Sequence, residues 1–138
     1  MEDDIANLLI WVWNSKDYLK NFLKSKGGNP QFIETFIDND EYLPVCGDLA
    51  NQLKHGLLKK SRSGKFPKLG ALRYTVPQSA IGALTIGAFE VDVEISIPKE
   101  VEFYQPVFDQ SGNEIGNVLD ILTKAISRLE TLRNQLGI

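Results

Sequence analysis

The chain of 138 residues contains one cysteine, one histidine and one methionine. A single cysteine excludes an internal disulfide, and with a single histidine it excludes the usual zinc sites, which need four ligands. Any tightly held metal would be a hard cation on carboxylates, and we expect no metal and no cofactor. The apolar run LLIWVW is too short to span a bilayer, and the acidic amino terminus lacks the basic region of a signal peptide. These features predict no membrane contact and a cytoplasmic location.

Acidic residues are missing from one long stretch of the chain. Between Leu49 and Phe89 there is no Asp or Glu, whereas the rest of the chain carries eighteen acidic and eight basic residues. Seven basic residues lie in this stretch: Lys54, Lys59, Lys60, Arg62, Lys65, Lys68 and Arg73. The asymmetry predicts a local positive field, which is either a phosphate-binding surface or a solvated loop without a partner.

Apolar residues recur with helical spacing in three long segments and one short one. The long helices are predicted from Asp3 to about Lys26, from Glu41 to about Lys60 and from about Asn117 to Gln135, and the short helix follows Asn29-Pro30. Tyr42, Cys46, Leu49, Ala50, Leu53 and Leu57 form the predicted core stripe of the third helix. Trp13 lies off the stripe of the first helix, so another layer of the same molecule or a second subunit must cover it.

Strand signals separate the third helix from the last one. ALRYTV, IGALTIG and the alternating AFEVDVEISI predict strands, and Pro106 in VEFYQPVF indicates an edge position or a bulge. DQSGNEIG is typical of a hairpin tip. We therefore predict an α+β fold, a single domain over residues 1–138 in which a small antiparallel sheet, at about 70–112, is inserted into a helical bundle before its last helix.

The stretch CGDLANQLKHG carries the candidate chemistry. Cys46 and His55 are nine positions apart, about 180° around one helix, so they cannot act together. Asp48, Asn51 and His55 instead fall within about 60° of each other, opposite the core stripe. An acid, an amide and an imidazole on one ridge can serve general acid–base chemistry, which makes these three the candidate catalytic residues.

This stretch resembles the third helix of HEPN-like domains, small helical proteins of prokaryotic defence and toxin systems, and bacterial proteins with a D-L-A-N-x-x-K-H helix. The resemblance covers about residues 3–62 and 117–137. It implies a bundle that often dimerises with the polar faces of the motif helices together in a basic cleft. Active members are metal-independent ribonucleases in which four to six residues separate an Arg from a following His. His55 matches that His, but Asp48, Leu49 and Ala50 occupy the three possible Arg positions.

Three hypotheses follow. The first is a non-catalytic HEPN-like bundle, a homodimer, in which Asp48 and Asn51 orient His55 and the basic residues bind RNA or nucleotide phosphates. The predicted phosphate-binding residues are Lys54, Lys59, Lys60, Arg62 and Lys65. The second is a toxin-like, metal-independent endoribonuclease with His55 as general base for a ribose 2′-hydroxyl. The third is a structural or protein-interaction module whose polar helix face is solvated or packs on a partner.

Overall fold

The computed structural model describes residues 2–75 and 102–138. Its four helices lie at the predicted places. They are α1 (Glu2–Ser25), α2 (Gln31–Asp38), α3 (Leu43–His55) and α4 (Val118–Gln135). The five short strands lie between α3 and α4. They are β1 (Lys68–Leu69), β2 (Arg73–Thr75), β3 (Glu102–Tyr104), β4 (Pro106–Phe108) and β5 (Glu114–Asn117). The α+β class and the sheet before the last helix are thus confirmed.

Side-chain caps set the starts of the later helices. The Asp40 carboxylate accepts hydrogen bonds from the backbone N–H groups of Tyr42 and Leu43, both at 2.9 Å, as predicted for the start of α3. Asn117 caps α4 by accepting from the backbone N–H of Leu119. These bonds satisfy amide groups that have no partner inside the helix.

The end of α3 differs from the prediction. The helix ends at His55, five residues before Lys60, and Gly56 follows with a φ of +83°, a conformation that side-chain-bearing residues rarely adopt. Leu53 and Leu57, predicted for the core stripe, are exposed, at 43% and 86%. Leu57 is exposed because the residues after His55 leave the helical path and no longer follow its periodicity. Leu53 is still helical, but it lies in the last turn of α3, which is exposed.

Within residues 68–75 and 102–117 of the inserted part, the structure describes two small antiparallel sheets. One has the order β1-β4-β5, and the other pairs β2 with β3. Pro106 begins β4, the central strand, and a register shift follows it between Val107 and Phe108, which confirms the predicted bulge but not an edge position. At the predicted hairpin tip, Asp109 accepts from the backbone N–H of Ser111 and of Asn113. IGALTIG and AFEVDVEISI lie outside the described residues.

The core lies where α1 packs against α3 and α4. Trp13 is 6% exposed and its ring lies against Gly47 of α3, where an added Cβ would come within 2.6 Å of the ring. Gly47 is thus required for this close approach. Of the two predicted alternatives, the structure therefore shows the first: another layer of the same molecule covers Trp13.

Candidate functional site

The first half of α3 is enclosed by the rest of the molecule. All eight residues from Leu43 to Ala50 are buried, which is more than one helical stripe can account for. Cys46 lies among them with no exposed surface, and burial, followed by the negative charge of Asp40, raises the pKa of its thiol to about 12. A thiol held protonated and out of contact with solvent is a core group, as predicted, and not a nucleophile.

Asp48 does not lie on an exposed polar ridge, as the helical angle alone predicted. Its side chain is 1% exposed, and its carboxylate binds the chain that follows α3. Asp48 Oδ2 accepts from the hydroxyls of Ser61 and Ser63, both at 2.6 Å, and from the backbone N–H of Ser63 at 3.1 Å. Its Oδ1 accepts from the backbone N–H of Arg62 at 2.8 Å. Four donors around one buried carboxylate make it the anchor of this segment.

Further bonds shape this segment, residues 61–67, which we call the anchored loop. The Ser61 hydroxyl also accepts from the backbone N–H of Phe66 at 3.1 Å, and Gln52 of α3 donates its amide to the carbonyl of Pro67 at 3.0 Å. Gly64 and Phe66 have positive φ angles of +75° and +47°. A non-glycine residue at such an angle needs support from its surroundings, so these bonds hold one defined conformation.

Arg62, predicted to bind phosphate, is already neutralised. Its guanidinium donates to Asp38 Oδ1 at 2.8 Å and to Glu34 Oε2, and it lies over the Trp13 ring at 5.2 Å from the centroid. Burial acts to raise the pKa of Glu34, but hydrogen bonds from Lys20 and Arg62 outweigh it and bring this pKa to about 2. In the fold Arg62 joins the anchored loop to α1 and α2, and its phosphate-binding role stays a prediction.

The structure does not bring Asp48 and His55 together. The four hydrogen bonds of Asp48 all go to the anchored loop, while His55 is exposed at the last residue of α3 and Asn51 is half-buried. The predicted orientation of His55 by Asp48 is therefore wrong, because the tertiary contact takes the carboxylate elsewhere. His55 lies instead beside Lys54, whose ammonium group donates to Asn14 Oδ1 at 2.7 Å.

The other predicted phosphate-binding lysines remain available. Lys59 and Lys60 are exposed and Lys65 is half-buried, and within residues 2–75 and 102–138 none of them forms an ion pair. With Lys54 and His55 they line the segment that leaves α3 and enters the anchored loop. We call these five residues the basic surface. Its charges are not cancelled by the contacts of the fold.

A second surface was not predicted. A groove of about 430 Å³ runs between α1 and α4. Its lining comprises Trp11, Asn14, Ser15, Tyr18, Leu19, Ile126, Leu129, Glu130 and Arg133. Trp11 and Tyr18 are 64% and 67% exposed. A sequence signal for this surface is the number of apolar and aromatic residues on α1, which is larger than one buried face can accommodate.

Metal ligation and membrane insertion were also considered for the part of the chain that the structure describes. Within the described ranges no group of three or more His, Cys, Asp or Glu side chains could hold a metal ion. No helix of the same ranges is long and apolar enough to cross a membrane. Comparison of the chain with protein-family models, with curated proteins and with solved structures finds no match. The site therefore has to be interpreted from its own geometry.

Proposed function

We propose that the chain is a non-catalytic HEPN-like bundle that binds RNA or nucleotide phosphates through the basic surface. One observation carries the proposal: a buried carboxylate, Asp48, fixes the backbone of the anchored loop, while the lysines around that loop have no acidic partners among the described residues. The helix order is compatible with the family resemblance, which does not extend to the inserted strands.

The electrostatic argument depends on how the charges are distributed. In this region Arg62 forms ion pairs with two acidic residues, Glu34 and Asp38. These contacts inside the fold neutralise its positive charge. The remaining positive charges lie in a stretch of sequence without Asp or Glu. Phosphates that approach such a surface release condensed counterions, which supplies most of the affinity of sequence-independent nucleic-acid binding.

The rigid backbone adds to the affinity. A loop that has to be ordered on binding costs free energy for each immobilised residue, and the anchored loop is already ordered by bonds to α3. Only the long lysine side chains lose freedom when a phosphate binds. Where it includes α3 (Lys54 and His55) and the anchored loop (Lys65), the basic surface is therefore preorganised in its backbone and adaptable in its side chains.

The proposal is tested by titrating the protein into a fluorescently labelled single-stranded RNA and measuring anisotropy from low to high salt. Lys59→Ala/Lys60→Ala should weaken binding and reduce the salt slope by about 1.4, since each lysine contributes about 0.7 on a single strand. Lys24→Ala/Lys26→Ala removes the same charge from the exposed end of α1 and is the matched control. Absence of affinity at low salt, or an equal effect of the control, would contradict the proposal and favour a protein-interaction module.

The endoribonuclease hypothesis is tested in the same incubations. Its general base would be His55, but Asp48, the acid expected to orient that imidazole, is committed to the anchored loop. RNA cleavage that persists in chelator and disappears in His55→Ala would replace our proposal. The homodimer stays a prediction, and sedimentation of the protein at several concentrations decides it. Asp48 cannot contribute to such an interface, because its own chain covers it.

A further inference from the structure

Two aromatic rings lie exposed on one face of α1. Trp11 and Tyr18 are seven residues apart, so they point in nearly the same direction and are separated by about 10 Å along the helix axis. Their exposed fractions, 64% and 67%, are large for side chains of this size. Because amphipathic rings carry much contact area at low entropic cost, paired exposed aromatics are typical of binding surfaces.

The groove beside these rings has the size and lining of a ligand site. Its volume of about 430 Å³ lies in the range of about 300–1,000 Å³ that small-molecule pockets occupy. Leu19, Ile126 and Leu129 supply its apolar part, and Glu130 and Arg133 of α4 supply its charges. The exposed rings of Trp11 and Tyr18 thus lie beside a recess that a planar group can enter.

Positively charged side chains from two other helices lie near the groove that the exposed rings line. Lys54 approaches from α3 and donates to Asn14, which lies between Trp11 and Tyr18 in the sequence and also lines the groove. Arg133 approaches from α4, and its partner within the described ranges is Glu130 at 3.7 Å, a weak contact between two half-exposed side chains. Lys54, the first residue of the basic surface, is therefore in contact with a residue that lines the groove.

We propose that this face, which we call the aromatic groove, takes single-stranded nucleic acid, with bases stacked on Trp11 and Tyr18 and the phosphates following Lys54 to the basic surface. This inference rests on the proposed function and names its substrate class. Stacking requires bases whose faces are free, so a single strand fits and a duplex does not. The spacing of about 10 Å corresponds to three base steps of about 3.4 Å. The two rings therefore engage bases that are not adjacent.

The two tryptophans provide a direct test. Trp13 is buried and Trp11 is exposed, so a ligand in the aromatic groove changes the emission of Trp11 and leaves that of Trp13 unchanged. Single-stranded RNA should quench the emission of the wild type, and an RNA hairpin with the same number of phosphates should not. Trp11→Ala/Tyr18→Ala should lower the affinity for the single strand at least about tenfold and leave the salt slope unchanged.

Control variants separate the outcomes. Phe32→Ala removes another exposed ring, 49% accessible on α2, and should leave RNA binding unchanged. If Lys59→Ala/Lys60→Ala weakens binding while Trp11→Ala/Tyr18→Ala does not, the aromatic groove is overturned and the basic surface survives. If no RNA binds at low salt, both proposals fail. If the aromatic variant dissociates a dimer without changing affinity for RNA, a second copy covers the groove and the inference is overturned. Circular dichroism checks that each variant folds.

Discussion

Substitution of Asp48 by Asn is the most direct test of the structural role that we assign to this carboxylate. The amide retains one oxygen, which can accept from two of the four donors as a neutral acceptor. Hydrogen bonds to a charged group contribute about 1.5–3 kcal/mol and neutral ones about 0.5–1.5 kcal/mol. With this oxygen in the place of Oδ2, one of the three donors there loses its acceptor, and the new NH₂ group faces the backbone N–H of Arg62.

The expected loss is smaller than the sum of these terms. The serines of the anchored loop are half-buried, so water can replace part of what they lose, and removal of a buried charge also lowers the desolvation cost of folding. We expect Asp48→Asn to lower the free energy of unfolding by about 2–4 kcal/mol. Because 1 kcal/mol shifts the Tm of a chain of this size by about 3–5 °C, the Tm should fall by about 10 °C.

Urea unfolding followed by circular dichroism measures the free energy, and hydrogen exchange of the Arg62 and Ser63 amides reports on the anchored loop itself. Asp17→Asn is the matched control, because Asp17 has a side chain that is 61% exposed and contacts Lys16 at 3.4 Å. It should stay within about 0.5 kcal/mol of the wild type. If Asp48→Asn is equally harmless and the two amides exchange as slowly as before, the carboxylate does not anchor the loop and our account of the site is wrong.

Two further predictions concern the ion pairs of Glu34 on α2 and the contact of Gly47 on α3 with Trp13. Because the pKa of Glu34 in the folded protein, about 2, lies below its ordinary value of 4.5, its contribution to stability is complete above pH 4.5 and disappears as the pH falls toward 2. Urea midpoints at pH 6 and pH 3 should therefore differ less in Glu34→Gln than in the wild type, and an equal difference would contradict the ion-pair assignment. Gly47→Ala should destabilise the fold by about 1–3 kcal/mol, since the new methyl group overlaps the Trp13 ring. A wild-type near-ultraviolet spectrum with unchanged stability would show that this contact is looser than described.

The spacing of apolar residues predicted the helices well, because the residues of each helix alone determine that spacing. The ends of α1 and α4 fall within a residue or two of the predicted ends, and Cys46 and Leu49 lie in the core as expected. The end of α3 was missed because Leu57 continues the apolar spacing of Leu53 past the point where Gly56 turns the chain. A helical pattern indicates which residues would share a face, and it does not fix where the helix stops.

The site could be predicted less well because its contacts join distant parts of the chain. A helical angle placed Asp48 opposite Cys46, and this is correct on the helix, but the angle carries no information about the loop that covers that side. The partners of Arg62 on α2 lie 24 and 28 residues before it. Counting charges along the sequence therefore treated Arg62 as free, although the fold pairs it with two acids.

The contacts of Arg62 also determine when the basic surface can form during folding. Its backbone binds Asp48 on α3, its guanidinium binds Glu34 on α2, and its plane lies over Trp13 on α1. Since none of these contacts is local, the chain gains them only after three helices have come together and the entropy of closing the intervening segments has been lost. We therefore expect the anchored loop to form late in folding, so that damage to it should accelerate unfolding more than it slows folding. A partly folded chain has the lysines but not the surface.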